Sequence, residues 1–175
     1  MDYLPVGADE SREMPVRKAI DEKLEALEAL RAGADPAAQV AGLAAALRDK
    51  SPRVVAKAAR VAADGLHYDL GPALAGAFRR LCGAEKPAKA DPSCAAKKAI
   101  ARAFVELDCD DADVYLEGLA YRQPEPVWGG TADTAAEVRS SCAMGLIASG
   151  YARALAAVTP LLFDAEAGPS RAWTR

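Results

Sequence analysis

The chain has 175 residues, 51% of them apolar but only 6% aromatic, and a formal charge of −3. That is one domain's worth of chain, long enough to bury a continuous core. The mild charge singles out no polyanionic partner, and abundant alanine with few β-branched runs disfavours a sheet and suits closely packed helices. The opening Met1-Asp2-Tyr3-Leu4-Pro5 lacks a basic region followed by an apolar one, so no secretory signal is expected. No apolar stretch approaches the roughly 20 residues of a membrane span, and the expected location is cytoplasmic.

Residues 1–13 read as a polar leader, followed by a single domain over 14–175. A first helix is predicted over about 15–31. Val16, Ile20, Leu24, Leu27 and Leu30 recur on one face, and Glu22, Lys23, Glu25 and Glu28 cover the other. A polar outer face suits the amino-terminal cap of a helical array; the alternative is an amphipathic helix that binds a partner. Gly33 ends it, and Asp35-Pro36 opens the next helix.

Between Leu43 and Gly65 the sequence predicts the end of one helix, a tight turn and a second antiparallel helix. Leu43 and Leu47 share a face, as do Val54, Ala58 and Ala62. Ser51 is placed to cap the second helix, and Pro52 takes its first position, where an N–H is not needed. Residues 66–69 connect to a helix over 71–82 carrying Leu74, Phe78 and Leu81, and a polar loop (83–92) leads to a helix ending at Leu107. Asp108, Asp110, Asp111 and Asp113 then bunch together. A calcium loop started at Asp108 would need Gly and Glu where Asp113 and Leu119 stand, so these carboxylates are expected to cap and charge a helix over 112–121. The segment 121–133 is an unusual loop with Pro124, Pro126, Trp128, Gly129 and Gly130. It either offers a binding surface or folds Trp128 back over a gap in the core. Two more helices, through Val138–Ile147 and 152–163, complete the pattern before Gly168-Pro169.

Asp49, Asp91 and Asp133 recur at an interval of 42 residues. The same shift relates Val54 to Ala96 and Val138, Ala58 to Ile100 and Cys142, and Ala62 to Phe104 and Leu146. Paired helices at this period suit the roughly 40–47-residue repeats of HEAT/armadillo arrays. The pattern Leu-x-x-x-Leu-x-Asp-x-x-Pro-x-Val at 43–54 resembles the HEAT repeat, and the resemblance covers about 37–163. It implies an all-α fold: a right-handed α-solenoid of about three to four helical hairpins plus the capping helix. The repeats would run over about 36–64, 70–107 and 112–150, with an incomplete one at 152–175. An array broken off there exposes an apolar side, so either the piece is cut from a longer protein or Trp173 and a partner cover the gap.

Cys82, Cys94, Cys109 and Cys142 show no C-x-x-C spacing, and His67 is the single histidine. The cysteines read as small core residues and His67 as a connector residue. No nucleophile–base pair, phosphate-cradling loop or metal motif is visible, so no cofactor and no catalysis are expected.

Charge gives the partner hints. Arg53, Lys57 and Arg60 share a face, followed by Lys97, Lys98 and Arg102 and then Arg139. Between 51 and 107 basic residues outnumber acidic ones ten to five, against twelve to twenty elsewhere. The resemblance puts second helices on the concave surface, where such a stripe, with Trp128 nearby, would hold a protein or acidic peptide. It equally implies an Asp paired with a cation six residues on, which Asp133 with Arg139 matches and Asp91 with Lys97 nearly matches; Asp49 with Val55 departs. The expected function is a non-catalytic interaction scaffold. The alternative is binding of nucleic acid or phosphate groups along the basic stripe, which the acidic overall balance and the lack of interleaved aromatics disfavour.

Overall fold

The computed structural model describes residues 10–32 and 35–163. The fold is mostly helical. In chain order α1 spans Glu10–Ala32, α2 Pro36–Ala46, α3 Pro52–Asp64, α4 Gly71–Cys82, α5 Pro87–Ala90, α6 Ala95–Glu106, α7 Ala112–Ala120, α8 Ala136–Ala148 and α9 Ala154–Val158. Short 3₁₀ turns occur at Tyr68–Leu70, Pro92–Cys94 and Thr159–Phe163. No helix among the described residues is long and apolar enough to cross a membrane.

Three expectations need correction. The first helix begins at Glu10, so part of the supposed leader is helical and Pro15 lies inside it; residues 1–9 lie outside the described residues. The loop 121–133 is an antiparallel hairpin, β1 (Pro124–Val127) paired with β2 (Gly130–Asp133). Ser51 sits at the N-cap of α3, but its side chain makes no capping bond; Asp49 Oδ1 instead accepts from the Ser51 N–H at 2.7 Å. Other caps are as read: Asp35 accepts from Ala37 N at 3.0 Å, and Asp111 from Val114 N at 3.2 Å. Of the expected incomplete hairpin, α9 and the turn to Phe163 are seen, and 164–175 with Trp173 lie outside the described residues.

The helices pack in a definite order. α3 lies against α6, and α6 against α8, while α1 flanks α3 on the other side. α2 packs on α3, α4 on α6 and α7 on α8. The apolar stripes that recur along the sequence are what these helices bury: Val54, Ala58 and Ala62, then Ala96, Ile100 and Phe104, then Val138, Cys142 and Leu146, none more than 1% exposed. The alanines among them let the backbones approach, and burial of the apolar surface is the main stabilising term.

α7 and α8 approach closely at their glycines. A Cβ on Gly145 would stand 2.2 Å from Cε1 of Tyr115, and one on Gly118 2.2 Å from Sγ of Cys142. Tyr115 cannot swing aside, because its hydroxyl donates to Cys109 O (2.8 Å) and also lies 3.2 Å from Phe104 O, with its ring edge-on to Phe104. Gly145→Ala should therefore destabilise the fold by roughly 1–3 kcal/mol through overpacking. A lower urea midpoint at unchanged slope is expected; a wild-type midpoint would mean the two helices stand further apart.

Candidate functional site

The layer α3–α6–α8 carries the cations singled out by the sequence, and the structure divides them into two sets. The division begins at Asp91. After a polar loop the chain must start α6, whose first N–H groups have no partners within the helix. Asp91 supplies them: Oδ1 accepts from Ala96 N at 2.9 Å and Oδ2 from Lys97 N at 3.0 Å. The turn that lets Asp91 reach back needs positive φ at Ser93 (56°) and Cys94 (54°).

Lys97 completes this unit. Its Nζ lies 3.2 Å from Asp91 Oδ2, donates to Gln123 Oε1 at 3.0 Å and stands 5.4 Å from the centre of the Tyr121 ring. Gln123 Nε2 returns a bond to Asp91 O at 2.9 Å, and Tyr121 Oη donates to Gln123 Oε1 at 2.7 Å. Asp91 and Lys97 are both 0% exposed. A charge pair so buried is tolerated only when its remaining polar groups are satisfied, and here they are.

Asp133 heads α8 in a related way. Its Oδ1 accepts from Gln123 N (2.9 Å) and Ala135 N (3.0 Å), and its Oδ2 from Arg139 Nη1 at 2.7 Å. Arg139, 1% exposed, also donates to Tyr121 O at 3.1 Å. Burial alone would raise the Asp133 carboxyl, but the N–H groups of Gln123 and Ala135 and the Arg139 guanidinium outweigh it and hold the group below the usual carboxylate range. At Asp49, where Val55 replaces the cation, Lys23 of α1 supplies one from 2.6 Å, and Arg80 of α4 donates to Leu47 O (3.0 Å) and Asp49 O (3.2 Å).

Lys97 and Arg139 are thus corrected from partner-binding candidates to internal pins, since a buried, paired cation cannot meet a ligand. Lys57 is tied to Glu28 of α1, leaving its side chain 25% exposed. Lys98 and Arg102 both reach Glu137 of α8, Lys98 at 3.5 Å. Arg53 and Arg60 are exposed on α3, and no ion pair among the described residues includes either. Arg60, Lys98 and Arg102 come together with Asp64, Glu106 and Glu137 in a groove of about 500 Å³ floored by Ala63, Ala99 and Ala103. Trp128 is fully exposed at the hairpin turn, so it does not fold over the core; Gly129, at φ 87°, supplies the left-handed position of that turn.

Sequence reasoning missed Gln123, Glu125, Thr134, Lys23 and Arg80. Glu125 accepts from Ser93 N (2.7 Å), Thr134 Oγ1 (2.9 Å) and Gln123 Nε2 (2.6 Å), fastening the hairpin to the start of α6. Its proximity to two prolines was the only signal, and that signal reads as loop. The thiols sit in apolar surroundings: burial pushes Cys82 and Cys142 up to about 12, which keeps them protonated at neutral pH. Against family models, characterised proteins and solved structures the chain gives no match.

Two outcomes test the pins. Lys97→Ala, which leaves Asp91 buried without its cation, should cost roughly 3–5 kcal/mol in urea unfolding; a loss below about 1 kcal/mol would mean the pair is hydrated. The depressed Asp133 carboxyl adds stability that is present above the unfolded value of about 3.9 and lost as pH falls through its lower folded value. Stability measured from pH 6 down to pH 2 should therefore fall, and Asp133→Asn, less stable at pH 6, should converge on wild type in acid. Parallel curves would contradict this assignment.

Proposed function

We propose that this chain is a non-catalytic, HEAT-like α-solenoid scaffold in which successive helical hairpins stack through α3, α6 and α8, and that the exposed face of this layer holds an acidic segment of a protein partner. The order of helix contacts, the burial of residues 42 positions apart and the equivalent roles of Asp49, Asp91 and Asp133 support the stacked arrangement. The single observation that carries the binding reading is Arg60. It lines the groove, it is exposed, and no ion pair among the described residues includes it, while Lys98 and Arg102 beside it are already paired with Glu137.

Such a groove suits a peptide better than a nucleic acid. A polyphosphate backbone presents one charge after another, and along this groove it would meet Asp64, Glu106 and Glu137 as well as the cations. A protein segment can place one carboxylate at Arg60 and polar groups opposite the acids. The alanine floor gives the shape, and the charges give orientation and rate more than affinity.

The test uses a fluorescein-labelled 12-residue peptide of mixed Glu, Ser and Leu and a 20-nucleotide single strand of DNA, each titrated in fluorescence anisotropy. The peptide should bind at low salt, and Arg60→Glu should weaken it about tenfold without altering the fold. Tighter binding of the DNA, with steep loss between 50 and 200 mM salt, would transfer the site to the nucleic-acid reading. Absence of any peptide binding at low salt would remove the acidic-segment reading.

A further inference from the structure

We infer that the outer edge of β2 takes up an extended segment of a partner protein as a third strand, on a surface separate from the groove and whatever that groove binds. The inference starts from pairing parity. Thr134 N donates to Gln123 O at 3.0 Å, and Pro124 pairs with Asp133, Glu125 with Ala132, Pro126 with Thr131 and Val127 with Gly130. Antiparallel pairs alternate between hydrogen-bonded and non-bonded. Gln123–Thr134 is a bonded pair, so Glu125–Ala132 and Val127–Gly130 are bonded too. The backbones of Pro124 and Pro126 then face outward from β1, and those of Thr131 and Asp133 outward from β2.

The two edges are therefore chemically opposite. Both outward positions of β1 are proline, so that edge has no N–H to donate, a device that blocks edge-to-edge pairing. The β2 edge keeps the N–H groups of Thr131 and Asp133, and among the described residues no backbone bond takes them up. Thr131 is exposed. Groups at this ladder spacing match an extended backbone.

The edge is also held in place before any ligand arrives. Asp133, Gln123, Thr134 and Glu125 fasten the base of the hairpin to α6 and α8, and Gly129 fixes its turn. Such pre-organisation removes part of the ordering cost of binding. The ends of the edge differ in chemistry. Exposed Trp128 and half-exposed Val127 stand at the tip, and the Arg122 Nε lies 3.8 Å from Asp133 Oδ2 at the base. The occupant is an extended segment of a partner protein with an aliphatic side chain toward the tip, beside Val127 and Trp128. A second copy of this chain fits less well, because two four-residue edges fall far short of the roughly 20–30 residues a side of a stable interface.

The experiment selects phage-displayed random 12-residue peptides on the full chain and reads each clone against Thr131→Pro and Arg60→Glu. Thr131→Pro removes an outward N–H and leaves the inward ladder bonds of β2 in place, as Pro124 and Pro126 do across the hairpin, while fixing φ at 131. Clones carrying an extended segment with an aliphatic residue should lose at least tenfold in affinity on Thr131→Pro and keep it on Arg60→Glu. Independently of any variant, the Thr131 and Asp133 amides of the free wild-type chain should exchange rapidly with deuterium and slow at least tenfold with such a peptide. The inference is overturned if no clone depends on Thr131, or if the bound peptide leaves those two amides unprotected. Clones lost only on Arg60→Glu overturn it while upholding the groove. A wild-type dimer in sedimentation that Thr131→Pro dissociates assigns the edge to a second copy and likewise overturns it.

Discussion

The arrangement of this protein depends on a carboxylate buried where one helical unit hands over to the next, with a cation held against it. At Asp91 the carboxylate closes the start of α6, and the Lys97 ammonium carries the link onward to Gln123 at the entrance to the following hairpin. At Asp133 the same side chain seats Gln123 and Ala135 while Arg139 reaches back to Tyr121. A hydrophobic contact is non-directional and would let one helix slide on another. A buried cation held against a carboxylate favours one register, since a slip would leave a charge unpaired in low dielectric.

Around these pins the packing is made of small residues. Alanine on α3 and α6 and the glycines of α7 and α8 let helices approach until side chains such as Tyr115 and Phe104 interlock. That economy has a consequence for the surface. With the cations at 97 and 139 spent inside, the exposed positive charge on α3, α6 and α8 that the sequence singled out reduces to Arg53, Arg60 and the partly neutralised Lys57, Lys98 and Arg102. In the reading proposed above, recognition falls to a mixed-charge groove and to the β1–β2 hairpin, which would act through shape and placed hydrogen-bonding groups.

Much of the helical framework is legible in the residues themselves. Spacings of three and four mark the faces that α3, α4, α6 and α8 bury, and Asp49, Asp91 and Asp133, which recur every 42 residues, each accept from a backbone N–H near the start of a helix. The hairpin is not legible, since proline at 124 and 126 is normally evidence against a strand; it is tolerated because both fall on the outward side of an edge. The burial of Lys97 and Arg139 is hidden for a different reason. Helical periodicity places them on a face but says nothing of Tyr121 and Gln123, from the segment between α7 and α8, receiving them. At Asp49 the cation comes from Lys23, a residue 26 positions away, which no local pattern announces.

The most direct measurement is a double-mutant cycle between Lys97 and Gln123, using Lys97→Met, Gln123→Leu and the pair, each followed by urea unfolding. If the buried cation ties α6 to the unit that follows, the two changes should be coupled by roughly 1–3 kcal/mol, the double variant being less damaged than the sum of the singles. Additivity within about 0.5 kcal/mol would show that the two residues act independently and that packing alone sets the register of the helices.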